Sequence, residues 1–159
     1  MENNNENLNF DLMGIQKCQR NRYPILFVDK MVEVIKGKSA HGVKNFTYNE
    51  WFFPAHFDDE PSVPGFIQIE SLVQTFLMTF LSFDEYKGKK TSFVSINNVK
   101  FKKKIEPGDR LDIYATLESF KRGIAKGHVE SFVGDKAACS AEFVVVINDV
   151  FNQFMPKNK

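Results

Sequence analysis

The sequence predicts an α+β domain in which an antiparallel sheet wraps around one long central helix. Three observations carry that expectation. Residues 66–83 are apolar on nearly every side of a helix, which marks a helix buried over most of its surface. From residue 91 onward the chain reads as strand after strand, separated by short turns. The length, 159 residues, fits one domain with room for one such core.

The elements follow in order. Residues 1–9 are rich in Asn and Glu and read as a disordered tail ahead of a single domain at 10–159. Residues 10–20 suit a short helix. Residues 25–34 read as a strand, Lys36-Gly37-Lys38 as a turn and residues 39–46 as a returning strand, which makes a hairpin. Residues 47–64 are irregular, with Pro54, Pro61, Pro64 and the acidic run Asp58-Asp59-Glu60. Loops this long in a compact domain are usually functional. The helix opens at Pro64-Gly65 and spans about 65–83, leaving through Lys87-Gly88-Lys89-Lys90. Strands are expected at 91–96 and 99–105, then the turn Glu106-Pro107-Gly108-Asp109. Residues 110–121 alternate, with Leu111, Ile113, Ala115 and Leu117 on one side and Asp112, Tyr114, Thr116 and Glu118 on the other. Strands at 124–133 and 137–148 complete the sheet. A helix apolar all round needs a sheet curled about it, which is the arrangement of a hot-dog fold. One copy alone would leave a sheet edge open, so a homodimer is expected.

Composition bounds the function. The chain is 43% hydrophobic and 26% charged, as ordinary globular proteins are, and its 17 Phe supply a large apolar payload for a ligand channel or subunit interface. The net charge of +1 gives no global field for nucleic acid or membrane. Cys18 and Cys139 are far apart and form no CxxC or Cys/His cluster, so they read as reduced structural thiols, and neither metal nor cofactor is expected. The N-terminus lacks a basic and an apolar region, so no signal peptide is expected and the location reads as cytoplasmic. The apolar run at 66–83 is interrupted by Gln68, Glu70, Ser71, Gln74, Thr75 and Thr79, so a buried soluble helix is expected rather than a membrane span.

The chemistry gathers in residues 53–74. His56 lies in the loop, Gly65 opens the helix, and Glu70 falls in the helix's second turn. A buried carboxyl resists ionisation, which suits a general acid near neutral pH. Histidine is the side chain that most often serves as a general base. Gln74, one turn beyond Glu70, is placed to hydrogen-bond it. The Gly65 N–H is free to receive a thioester carbonyl as negative charge develops. His41 and His128 lie on strands without such surroundings and read as structural.

Across residues 13–148 the chain resembles the 3-hydroxyacyl-acyl-carrier-protein dehydratases of bacterial fatty acid synthesis, the FabZ type. The pieces that carry the resemblance run in order. They are Arg22-Tyr23-Pro24-Ile25-Leu26-Phe27-Val28-Asp29, Lys44-Asn45, Asn49-Glu50-Trp51-Phe52-Phe53, His56-Phe57, Pro61, Val63-Pro64-Gly65, Ile69-Glu70, Gln74, Ile96, Val99-Lys100-Phe101 and Pro107-Gly108-Asp109-Arg110-Leu111. The resemblance implies that His56 removes the proton next to the thioester, Glu70 protonates the departing 3-hydroxyl and the Gly65 N–H polarises the carbonyl. It implies that His56 works with Glu70 of a partner subunit, in a homodimer or a hexamer built as a trimer of dimers. Glu rather than Asp at position 70 resembles the type that dehydrates without isomerising. Gln74, Val63 and Phe93 are expected to contact substrate. Lys100, Lys102, Lys104 and Arg110 are expected to dock an acidic acyl carrier protein with its phosphopantetheine-linked chain. The same lysines also suit a solvated edge strand.

The chain departs from the family pattern at Asn21, Ala55, Asp58, Val63 and Ser92, the last standing where some relatives carry a gating Tyr. These departures surround the His–Glu pair and point toward an altered acyl preference. Two other readings fit the same fold, a thioesterase or hydratase acting on coenzyme A thioesters and a non-catalytic acyl-binding partner.

Overall fold

In the computed structural model, which describes residues 6–156, helix α2 (Gly65–Leu81) runs across a seven-stranded sheet. The strands are β1 (Asn7–Phe10), β2 (Lys30–Ile35), β3 (Ser39–Asn45), β4 (Thr91–Phe101), β5 (Arg110–Lys121), β6 (Ile124–Val133) and β7 (Lys136–Ile147). Every pairing is antiparallel, in the order β1-β2-β3-β5-β6-β7-β4. The expected hairpin is β2–β3, and the expected strands at 110–121 and 124–133 form with those bounds. Helix α1 (Leu12–Cys18) is capped by Asp11, whose carboxylate accepts from the Gly14 N–H at 2.8 Å.

The helix is buried because the sheet lets it come close. Thr75 packs on Gly42, where a Cβ would lie 2.5 Å from the Thr75 hydroxyl. Phe76 packs on Gly127, where a Cβ would lie 2.5 Å from the Phe76 ring and 2.1 Å from the Thr116 carbonyl. Leu72, Phe76, Met78, Phe80 and Leu81 are fully enclosed, against Leu111, Ile113, Ala115, Val129 and Phe143 of the sheet. This is a hot-dog fold. Both thiols are buried, and burial pushes the Cys139 thiol up to about 11.

Four expectations are corrected. The tail at 1–9 was expected to be disordered, but Asn7–Phe10 pairs with β2, since backbone pairing does not require apolar side chains; residues 1–5 lie outside the described residues. The strand expected from residue 25 begins at Lys30. Residues 25 and 27 direct backbone groups to the Gln74 side chain instead of to a neighbouring strand. The strands expected at 91–96 and 99–105 are one, β4, with Asn98 (φ 50°) in a bulge. Asn tolerates that left-handed conformation, so the ladder continues through it. That strand stops at Phe101 rather than 105.

Candidate active site

Glu70 is anchored by a tripod of backbone and side-chain contacts centred on Gln74. The Gln74 amide nitrogen donates to Glu70 Oε1 at 2.8 Å and to the Ile25 carbonyl at 2.6 Å. Its oxygen accepts from the Phe27 N–H at 2.7 Å. Asn21 donates to the same Glu70 Oε1 at 3.1 Å. Among the described residues no hydrogen bond reaches Glu70 Oε2. Burial pushes the carboxyl above the ordinary carboxylate range, and the two hydrogen bonds oppose that rise without cancelling it.

Two cavities meet at this carboxyl. An open apolar cleft of about 430 Å³ is lined by Ile25, Trp51, Phe66, Phe93 and Ile96 together with Glu70. A narrower slot of about 110 Å³ lies beyond, between Glu70, Val73, Leu77, Ser92, Phe93 and Val145. Phe93, expected at the substrate, lies on the wall between the two.

His56 follows the 3-10 turn Phe53–Ala55. Its Nδ1 is 3.0 Å from the Ser62 carbonyl, and the Ser62 hydroxyl approaches at 3.4 Å. The Phe57 ring lies 4.2 Å from the imidazole, centre to centre. His56 lines neither cavity that Glu70 lines. Helical geometry explains the separation. At about 100° per residue, Gly65 and Gln68 face roughly opposite to Glu70, Val73 and Leu77. Gly65 opens onto a basic groove with Ser62, Phe101, Lys102, Lys103 and Lys104, next to the His56 loop. Within one chain, then, His56 lies toward one face of the helix and Glu70 on the other.

Of the expected substrate contacts, Gln74 is corrected and Val63 keeps a place beside a groove. Gln74 is fully buried and spends its amide inside the protein, so it orients Glu70 rather than facing ligand. Val63 is mostly buried, with its N–H bonded to the Ile105 carbonyl at 2.9 Å, and it also lines the basic groove beside Gly65. The four expected docking cations divide. Lys104 pairs with Glu60 at 2.6 Å and Arg110 with Asp112 at 2.9 Å, whereas Lys100 and Lys102 have no ion pair among the described residues. His41 pairs with Asp112 and His128 with Glu118, away from both Glu70 cavities. Among the described residues no three His, Cys, Asp or Glu side chains gather as metal ligands would.

Sequence reasoning missed two contributors. Asn21 stood out only as a departure from a pattern, yet it holds the acid. Lys44, buried, pairs with Asp29 and Glu50 and ties the segment around Ile25 to β3 and to the loop. Its signal was present, since Asp29, Lys44 and Glu50 each fall in a family-like segment.

A family model described as a FabA-like domain matches residues 20–142, a span that contains His56, Gly65, Glu70 and Gln74. The chain belongs to the FabA-like family. Among curated members, the 3-hydroxyacyl-[acyl-carrier-protein] dehydratase FabZ of Thermoanaerobacter sp. (strain X514) is 39% identical over 136 residues, covering 86% of this chain and 96% of that protein. The dehydratase of the same name from Clostridium botulinum (strain Hall) is 44% identical over 137 residues, covering 86% and 95%. The solved dehydratase heterocomplex ApeI:P from Xenorhabdus doucetiae shares the fold, with a TM-score of 0.74 at 13% identity over 90% of this chain and 97% of that one. No helix among the described residues of this FabA-like protein is long and apolar enough to cross a membrane.

Proposed function

We propose that this chain dehydrates a (3R)-3-hydroxyacyl thioester on acyl carrier protein to the trans-2-enoyl thioester, in fatty acid or a related acyl biosynthesis. One observation carries the reading: a carboxyl held by one oxygen, raised in proton affinity by burial, with its other oxygen left for an apolar cavity. Such a group holds a proton more readily than a free carboxyl does and can give it to a departing hydroxyl. His56 takes the proton from the carbon beside the thioester. The electron pair moves to form the double bond, the C–O bond to the 3-hydroxyl breaks, and Glu70 supplies the proton that makes the leaving group water. The Gly65 N–H receives the negative charge that develops on the thioester oxygen.

The working unit in this proposal is a homodimer, with dimers able to assemble further into a hexamer. His56 of one copy meets Glu70 of the other. The opposed helix faces support this, as does β4, whose outer edge is unpaired and exposes Phe93, Val94, Ile96 and Phe101. Lys100 and Lys102, without an ion pair among the described residues, steer the acidic carrier, and the enzyme works in the cytoplasm. The test is incubation of purified protein with 3-hydroxyacyl carrier protein. The trans-2-enoyl product should form, and His56→Ala should lose it. Release of free acid would point to a thioesterase, and equal turnover of coenzyme A thioesters would remove the carrier from the reading.

A further inference from the structure

Three cavities run end to end along one stripe of α2. Glu70 and Phe93 line both the open cleft and the narrow slot. Asn21, Leu77, Thr91 and Ser92 line both that slot and a third cavity of about 220 Å³. Glu70, Val73, Leu77 and Leu81 fall on one side of the helix and floor the path. At about 1.5 Å of rise per residue, Leu81 lies about 16 Å beyond Glu70. An extended acyl chain of on the order of ten C–C bonds covers that distance.

The lining changes character along the way. Around Glu70 the cleft is apolar, with Trp51, Phe66, Phe93 and Ile96. The third cavity sets Arg20, Lys89 and Lys90 beside the apolar Leu77 and Leu81, so it is amphipathic and basic. None of these three cations has an ion pair among the described residues, whereas Lys44, Lys87 and Lys104 all do. Arg20 reaches only the Gly88 carbonyl, at 3.4 Å. Gln19, also in this wall, spends its amide nitrogen on the Gln74 carbonyl at 3.2 Å, and its unpartnered Oε1 is an acceptor, so the donors here are the three cations. A methyl terminus arriving here would strip water from charged groups and return nothing. A carboxylate would meet donors of opposite charge.

We propose that this distal cavity recognises an anionic group, a carboxylate above all, at the far end of the acyl chain. The inference rests on the dehydratase reading and adds a substrate class to it. The catalytic pair then acts on a chain selected by its other end. Short chains, which end near Val73, pass without selection.

The experiment uses the full-length protein and three carrier-linked substrates: 3-hydroxybutyryl, a medium 3-hydroxyacyl chain ending in methyl, and the same chain ending in carboxylate. The carboxylate substrate should show kcat/KM about tenfold above its methyl counterpart. Lys89→Glu/Lys90→Glu should reverse that ratio, with 3-hydroxybutyryl turnover measured in parallel to normalise each preparation. Equal or lower kcat/KM for the carboxylate chain, or a ratio unmoved by the double substitution, overturns the inference while leaving the dehydratase reading intact. A loss shared by all three carrier-linked substrates, but absent with a pantetheine thioester, would assign the cations to carrier docking and overturn it too. Absence of turnover of all three carrier-linked substrates by the wild type would overturn both readings.

Discussion

Glu70 and His56 stand on opposite kinds of ground. Glu70 is in the second turn of a buried helix, braced by Asn21 and by Gln74, which is itself fixed to the backbone of Ile25 and Phe27. His56 ends a short turn in a long loop, half-buried, and its ring is held by Ser62 six residues on. The difference fits the roles proposed for the two groups. An acid that holds its proton needs burial to raise its proton affinity, and burial demands rigid bracing for its one hydrogen-bonded oxygen. A base that receives a proton from a delivered substrate needs access, which a loop provides.

The largest effects should come from removing either member. His56→Ala and Glu70→Ala should each lower kcat by about a thousandfold in the carrier-linked assay. Mixing the two inactive variants after dissociation separates a shared site from an intrachain one. A site shared across a two-fold interface leaves one intact site in each mixed dimer, so about a quarter of wild-type activity should return. An intrachain site would restore nothing.

Removing the brace should come next. Gln74→Ala leaves the Phe27 N–H buried without its partner, which costs about 1–3 kcal/mol in urea unfolding. It should also lower kcat roughly tenfold while KM moves little, since the amide meets no cavity.

Glu70→Gln tests the environment rather than the brace. The folded carboxyl binds its proton more tightly than the unfolded one, so the folded state holds more protons from the ordinary carboxylate pKa up to the raised one. Stability contributed by Glu70 is therefore present at low pH and lost as pH rises through that window. The amide variant, though inactive, should melt above wild type at pH 7, and the two melting curves should converge in acid. A variant that melts lower at pH 7 would contradict the raised affinity. The smallest effect belongs to the loop: Ser62→Ala should change kcat less than about threefold, because the carbonyl at 3.0 Å, not the hydroxyl at 3.4 Å, holds the ring.

The same contrast governs what was legible in the sequence. The helix, and strands β5 and β6, announce themselves by apolar periodicity, which is a local property. Gln74 was legible as a brace because helical spacing brings it beneath Glu70. Asn21 was not, because its contact with Glu70 spans 49 positions of sequence and exists only once the segment before Pro24 is laid across the helix. Strand β1 was hidden because Asn-rich composition resembles a solvated tail, while its partner strand supplies the pairing. The early end of the expected strand at 25–34 had the same origin: a side chain from the helix took hydrogen bonds that a strand would have used. What the sequence missed lies in contacts between segments far apart in the chain, of side chain with side chain, side chain with backbone and strand with strand.

Gly127 carries a consequence for how this family member can change. It lies on a strand far in sequence from Glu70, and any Cβ there would strike Phe76 and the Thr116 carbonyl. Phe76 lies on α2 between Glu70 and Leu77, so relief of that collision has to lift or roll the helix. Such a shift moves the floor of the acyl path more readily than it moves the reacting atoms. Variation at a residue that lines none of the three acyl cavities would then be inherited as a new chain-length preference, and a survey of cavity residues alone would not find its cause.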